Sequence, residues 1–487
     1  MSTTPIPTRT YRDAIDALNS LQTNAAVLEA VIAAGPKLNP NATPEMIDYL
    51  RRVGLEPSQL NNLNVIHITG TKGKGSTGAF TESILRAARP GWKTGLYTSP
   101  HLVAVRERIR INGEPLSEEQ FTHYFFEVWN LLQNTQCAVA TIPFMPNYFR
   151  YLTLMAFYTF YQLKVDATIL EVGIGGRSDS TNIVPKPVVT GVTALGYDHT
   201  RILGEKLSQI AYHKGGIYKE GVPALTVQQP EEGIVELGVC AAEKRASQFT
   251  IIDALSSTIP LGMFCLAGDH QRSNAGLAVQ LVHTFLSIKD QSLPASFMDG
   301  LKNAHWPGRC QTVLDPKLEA TAWFLDGAHT KESLACCLEW FVSPAVGLPV
   351  SPVSDEHPPR VLIFNCTSGP ILQKIEERLA IHGSREKKEE FFAKVIFCSN
   401  VTYASGNFKG GKYPSPISNA SLYMTSLNLK TQREIEAAWN KLVPTYSGTV
   451  HVLPTPNVSV LVTGSLHLVG GVIEVAGLAD RALSPKA

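Results

Sequence analysis

The chain has 487 residues, is 44% hydrophobic and 17% charged, and carries a formal net charge of +1. That length exceeds what one hydrophobic core supports, so two or three domains are expected, and the charge balance excludes a bulk attraction to nucleic acid or to an anionic membrane. The eight cysteines contain no C-x-x-C pair, and only Cys336 and Cys337 are close, which disfavours structural zinc and a disulfide framework. Reduced thiols in a cytosol-like compartment are the simpler expectation.

The first residues (MSTTPIPTRT) lack a signal-peptide core. They are rich in Ser and Thr, with Arg9 and Arg12 and no acid before Asp13, so a short mitochondrial presequence stands as the alternative to a cytoplasmic location. Apolar residues at Ile15, Leu18, Leu21, Val27, Leu28 and Val31 predict a helix over 11–34, and a second, short helix is expected over 44–53. Residues 63–69 form an apolar, β-branched run ending at a glycine, which reads as a buried strand feeding a loop, with a helix following over 77–89. The longest apolar run, 151–163, falls short of the roughly 20 residues a membrane span needs and reads as a buried helix. Further short strands are expected over 168–172 and 187–192. Strands alternating with helices imply an α/β fold with a largely parallel sheet.

Residues 304–309 (AHWPGR) read as a junction. Beyond it the strand pattern restarts at 322–325, 361–365, 394–398 and 458–463, predicting a second, smaller α/β domain. The expected division is 1–306 and 307–487. Residues 344–359, with five prolines, and 402–420 read as loops, and 384–390 (SREKKEE) as a solvated charge run. No internal repeat and no heptad pattern is evident.

The most informative local motif is Gly70-Thr71-Lys72-Gly73-Lys74-Gly75-Ser76-Thr77, between a predicted strand and a predicted helix. Glycines let successive backbone N–H groups curl around phosphate oxygens, and the helix N-terminus adds positive potential. A lysine supplies a point charge to the phosphates, and a hydroxyl can meet Mg²⁺. The motif departs from G-x-x-x-x-G-K-[ST] because Gly75 separates Lys74 from Ser76. Ser99, Glu171 and His199 each lie at or beyond the end of a predicted strand, where an open parallel sheet forms its ligand crevice. Ser99 could instead be a helix cap and His199 a satisfied core histidine, whereas an unpaired Glu171 after an apolar strand is costly without a function. Gly173, Gly175 and Gly176 resemble a dinucleotide fingerprint, but the spacing and the missing acidic residue argue against NAD.

These motifs, read with YTSPHLVAVRERIRIN (97–112), PNYFRYLTLMAF (146–157), EVGIGGRSDSTN (171–182), the DHT…K segment over 198–214, PGR (307–309), LDGAHT (325–330) and VTGSL (462–466), resemble the folate-ligase branch of the Mur ligase superfamily, the folylpolyglutamate synthases of eukaryotic type. The resemblance implies a Mur ligase-like P-loop central domain followed by a Rossmann-like glutamate-ligase domain. It implies ATP-dependent ligation of L-glutamate to the γ-carboxylate of tetrahydrofolate or its polyglutamates through an acyl phosphate. By it Lys74 is the phosphate lysine, with Lys72 an exposed neighbour. Ser99, Glu171, His199 and a carbamylated Lys214 are expected to serve Mg²⁺, and His213 stands where many relatives carry Glu or Gln. Arg309 and Asp326 are expected to contact ATP, Asp326 by accepting from ribose or orienting Arg309, with His329 near the phosphates. A monovalent cation such as K⁺ is a further expected cofactor. The expected partners are these small molecules, with no nucleic acid, no transmembrane segment and a monomeric state. Dihydrofolate synthase, a non-catalytic nucleotide-binding regulator and a plain P-loop phosphotransferase are the competing readings. Tyr148 and Phe149 could stack on a flat ring or simply pack in the core.

Overall fold

The computed structural model describes residues 9–22, 41–259, 266–290, 292–344, 346–348, 358–365, 371–384, 386–387, 391–397, 445–447 and 457–483. The helix expected over 23–34, the loop expected over 402–420 and the N-terminal segment before Arg9 lie outside these residues, as does most of 344–359. The chain divides into two compact units, one of Met1–Ile259 with Arg272–Ala304, the other of Pro260–Gln271 with His305–Ala487.

The first unit is built on an eight-stranded sheet. Its strands are β1 (Val65–Thr69), β2 (Thr94–Tyr97), β3 (Ile109–Ile111), β4 (Glu114–Pro115), β5 (Ala167–Glu171), β6 (Val189–Val192), β7 (Pro223–Val227) and β8 (Gln248–Ile252). They are ordered β4-β3-β2-β5-β1-β6-β7-β8. β1 pairs in parallel with β5 on one side and β6 on the other, and only β2–β3 and β3–β4 are antiparallel. All five residues of β1 are buried, as the continuous apolar run requires of a strand covered on both faces. Because the chain leaves β1 towards neighbours on opposite sides, the loop after β1 sits at the sheet's switch point, where crevices form.

The helix after that loop, Lys74–Ala88, starts three residues earlier than the apolar pattern indicates, because Gly73 adopts the left-handed conformation (φ 89°) and lets Thr77 donate to its carbonyl. The apolar run emerges as the helix Tyr148–Leu163, capped by Asn147 and lined by buried Tyr151, Phe157 and Phe160. No helix among the described residues is long and apolar enough to cross a membrane. Among the described residues, the helix expected over 11–34 ends at Ser20, with Leu21 as its cap residue and the Leu21 carbonyl accepting the Tyr148 amide at 3.0 Å.

The helix Ala295–Asn303 packs on Lys74–Ala88 through a backbone approach: a Cβ on Gly300 would lie 2.5 Å from Ile84 Cα, and Ser83 Oγ donates to the Gly300 carbonyl at 2.8 Å. Gly300→Ala is therefore expected to force these helices apart and cost about 1–3 kcal/mol, lowering the first unit's melting temperature, which differential scanning calorimetry would register. An unchanged melting transition would refute the close-approach argument.

The second unit holds β9 (Gln311–Leu314), β10 (Ala322–Leu325), β11 (Arg360–Phe364), β12 (Lys394–Phe397), β13 (Thr445–Ser447) and β14 (Ser459–Thr463), ordered β13-β12-β11-β14-β10-β9, with only β9 antiparallel. Its core joins Phe324, Phe341, Phe364, Ile375, Phe391 and Leu461. Buried Arg360 leads β11 and is satisfied by the Gly347 and Phe391 carbonyls and a two-pronged pair with Glu386. This partner accounts for one acid of the 384–390 charge run.

Candidate active site

The loop 70–77 folds as a phosphate cradle from local causes. Gly70 (φ 148°) and Gly73 adopt conformations that side chains rarely tolerate. A Cβ on Gly70 would meet Thr193 Oγ1 at 1.8 Å, and one on Gly73 would meet Asn274 Oδ1 at 2.1 Å. The amides of Thr71 and Lys72 are tied to the Ala194 carbonyl at 2.9 and 3.1 Å, so the loop is pinned to the chain leaving β6. Lys74 Nζ folds back to the Gly70 carbonyl at 3.1 Å, and Lys214 Nζ reaches the same oxygen at 2.7 Å. Two amines therefore converge on one carbonyl, although Lys214 lies on a separate helix, Leu207–Gly215.

Lys214 is buried, and burial first, then the Lys74 charge, holds its pKa well below that of an ordinary lysine. Lys72 is not the exposed neighbour expected from its place in the motif. It is half-buried and pairs with Asp198 at 3.2 Å, because its loop lies against the segment that carries His199. Asp198 also accepts the His199 amide at 2.9 Å. His199 sits in a left-handed conformation (φ 51°) and is about half exposed, so it is no core histidine. Its pKa is lowered by burial and by Lys74, Lys214 and Lys72, against the pull of Asp198, leaving a neutral imidazole.

Glu171 ends β5 and is buried, and its Oε2 accepts the Ser99 amide at 3.2 Å. Ser99 precedes a cis peptide to Pro100 and caps no helix. The structure thus brings Ser99 to Glu171, and His199 to the three lysines of the cradle. No group of three or more His, Cys, Asp and Glu side chains poised for a metal occurs among the described residues. The donors here are a hydroxyl, a carboxylate and an imidazole. That set suits Mg²⁺, which takes hard oxygen ligands and few protein groups, better than a tight zinc cage.

Between Glu171 and the Lys214 helix runs a glycine turn. Thr69 Oγ1 donates to the Gly175 carbonyl at 2.6 Å, and a Cβ on Gly176 would lie 3.0 Å from the carbonyls of His213 and Lys214. On its other side, a Cβ on Gly173 would meet Phe149 at 2.4 Å, and Phe149 lies 6.4 Å from the Tyr97 ring. Arg108 sits over Tyr148 at 5.6 Å and donates to His101 at 3.0 Å. Of the aromatic pair singled out in the sequence, Phe149 therefore borders this turn, while Tyr148 packs under Arg108.

In the second unit, Arg309 lies in a turn with Gly308 (φ 72°) and Cys310 (φ 45°) and donates to the Gly308 carbonyl at 2.9 Å. Asp326 does not orient Arg309 directly. Its Oδ2 accepts the Cys310 amide at 2.7 Å and its Oδ1 the Ala328 amide at 2.9 Å, so it ties the Arg309 turn to the loop after β10 through the backbone. His329 Nδ1 is 3.1 Å from the Gly327 carbonyl in the same loop.

Two site residues escaped the sequence reading. Asn274, buried on the helix Gln271–Phe285, packs its amide on Gly73; a buried Asn in an apolar helix was the available signal. His270 has its pKa lowered by burial against the pull of Asp326, with Arg309 also lowering it, which places it by that acid and that cation.

Buried histidines also set an acid limit on stability. Burial, reinforced by Lys219, depresses His67 to about 3, and burial lowers His283. The unfolded chain binds these protons first, so stability is complete above about pH 6.5 and is lost as pH falls towards 3, by roughly 1.4 kcal/mol per pH unit from His67 alone. Melting temperatures measured from pH 7 to pH 4.5 should fall, and His67→Gln should flatten the fall; identical slopes in the two proteins would refute the assignment.

A switch-point phosphate loop, a neutral imidazole and a buried carboxylate gathered on a parallel sheet fit an ATP-dependent ligase, the class to which the similar proteins belong. Folylpolyglutamate synthase of Saccharomyces cerevisiae (strain FostersO) is 40% identical over 499 residues, covering 96% of this chain and 87% of that protein. The same enzyme from strain S288c matches equally. The chain belongs to the folylpolyglutamate synthase family. Among solved structures, Mycobacterium tuberculosis folylpolyglutamate synthase complexed with ADP and AMPPCP shares its fold at a TM-score of 0.63 and 22% identity, covering 96% of this chain and 99% of that one. E. coli FolC in complex with DHPP and ADP does so at 0.63 and 23%, covering 98% and 100%. No family model matches the chain.

Proposed function

We propose that the chain is an acid–amino-acid ligase that joins L-glutamate to the γ-carboxylate of tetrahydrofolate or its polyglutamates. The folate carboxylate attacks the γ-phosphorus of ATP, giving an acyl phosphate and ADP. The glutamate amine then attacks the acyl carbon, phosphate leaves, and the amine's proton passes to solvent or a nearby base. Phosphoryl transfer between anions depends on charge neutralisation and positioning more than on a protein nucleophile. The observation that carries this reading is the convergence of Lys74 and Lys214 on the Gly70 carbonyl, beside His199.

In this reading the loop amides and Lys74 hold the ATP phosphates, with Ser76 and Thr77 at the head of the helix. Mg²⁺ held by Ser99, Glu171, His199 and a carbamate on Lys214 would neutralise charge on the phosphates and the reacting carboxylate. Carbamylation needs a neutral amine to attack CO₂ with loss of a proton, which the depressed pKa of Lys214 supports. Arg309, Asp326 and His329 are proposed as ATP contacts. K⁺ as an activator, a monomeric state, and residence in the cytoplasm, with the mitochondrion as second compartment, belong to the same proposal. The test is incorporation of labelled L-glutamate into tetrahydrofolate with ATP and Mg²⁺. Incorporation into dihydropteroate alone would move the assignment to dihydrofolate synthase, and no incorporation into either would overturn the ligase reading of this chain.

A further inference from the structure

His67 is fully buried in the middle of β1, three residues before the phosphate loop, and no step of the proposed chemistry uses it. Its Nε2 lies 2.8 Å from Thr181 Oγ1. That hydroxyl lies 2.6 Å from Asp179 Oδ1, which also accepts the Thr181 amide at 2.9 Å. Asp179 Oδ2 accepts the Gly173 and Ile174 amides at 3.1 and 3.3 Å. Burial raises the pKa of Asp179, but three backbone amides and the Thr181 hydroxyl oppose that rise, and donors to both oxygens favour the ionised carboxylate. The direction of the chain follows. Thr181 must donate to Asp179, so it accepts from His67, and His67 must carry its proton on Nε2. Its Nδ1 has no hydrogen-bond partner, as expected of the bare nitrogen of that tautomer.

We propose that His67 is a positioning residue: as the neutral Nε2–H tautomer it anchors, through Thr181 and Asp179, the glycine turn that follows Glu171. The turn is the structural link between three reacting elements. It starts two residues after Glu171, its Gly175 carbonyl is held by Thr69 at the end of β1, and Gly176 lies against the backbone of Lys214. Loosening its Asp179 anchor displaces Glu171 and Lys214 together, whereas the phosphate loop keeps its own ties to Ala194. The predicted signature is therefore a loss in kcat with little change in the KM for ATP.

The kinetic arm of the test rests on the ligase reading; the spectroscopic arm does not. His67→Leu is expected to lower kcat for glutamate incorporation about 10-fold or more while the KM for ATP stays within about two-fold, and His67→Gln, which keeps a donor at the Nε2 position, to recover most of the rate. Thr181→Val against Thr181→Ser repeats the comparison one link further on, should His67→Leu fail to fold. Independently, ¹⁵N spectra of ring-labelled protein should show a His67 protonated on Nε2 and bare on Nδ1 at neutral pH. A folded His67→Leu or Thr181→Val with wild-type kcat, or a His67 ring protonated on Nδ1, would overturn the proposal. Wild-type protein that incorporates no glutamate but shows the predicted tautomer would sink the ligase reading and leave the anchor standing.

Discussion

Lys74→Ala should lower ATP-dependent glutamate incorporation by about 10²–10³-fold while leaving the melting temperature nearly unchanged. The size follows from position. Lys74 is the first residue of its helix, and its ammonium sits over the loop at 3.1 Å from the Gly70 carbonyl, where a phosphate chain would be cradled. Charge that develops on phosphate oxygens in a partly dehydrated site has few substitutes for a fixed cation. Lys72 offers a control within the same loop. Its ammonium is already committed to Asp198, so Lys72→Ala should act mainly by loosening the segment that carries His199, with a smaller loss than Lys74→Ala. Rates measured for both variants at saturating ATP decide the matter. Equal losses, or a greater loss at Lys72, would transfer the phosphate role to Lys72.

The parts legible in the sequence are those set by local pattern. A continuous apolar run ending in glycine has few outcomes other than a buried strand feeding a turn, and β1 with its loop followed from residues 63–77 alone. Strand ends likewise located Ser99 and Glu171. The rest depended on contacts between distant segments. Lys72 gained its partner only because the loop after β6 folds against residues 71–72, and the Asn274 contact with Gly73 spans about two hundred positions. Asp326 is instructive in a different way. Sequence marked the residue, but its work is done through backbone amides, which no residue type announces. Residues 266–271, counted with the first domain by their position in the chain, cluster with the second unit, and Ala267 packs on that core. Sequence proximity could not have revealed this.

Lys214→Ala should reduce glutamate incorporation at least about 10²-fold, and a short carboxylate such as formate or acetate should restore part of the activity. A buried amine near Lys74 and Lys72 is poorly placed as a cation, and its depressed pKa reflects burial first and Lys74 next. Converted to a carbamate, the same side chain becomes an anion among those cations, and the electrostatic conflict reverses sign. The alanine variant removes the anion and leaves space that a small carboxylate can occupy. The truncation also removes the hydrogen bond to the Gly70 carbonyl and leaves a cavity, costing about 2–4 kcal/mol, so its melting temperature is measured alongside the rate to show that it is folded. Lys214→Arg keeps a cation that cannot be carbamylated and should resist rescue. Protein equilibrated with ¹³C-bicarbonate should show a carbamate carbon that is absent from Lys214→Ala. Near wild-type turnover in Lys214→Ala, or no such carbon in the wild type, would leave Lys214 as a structural amine holding the Gly70 carbonyl, and the anion required beside Glu171 and His199 would have to come from the substrates themselves.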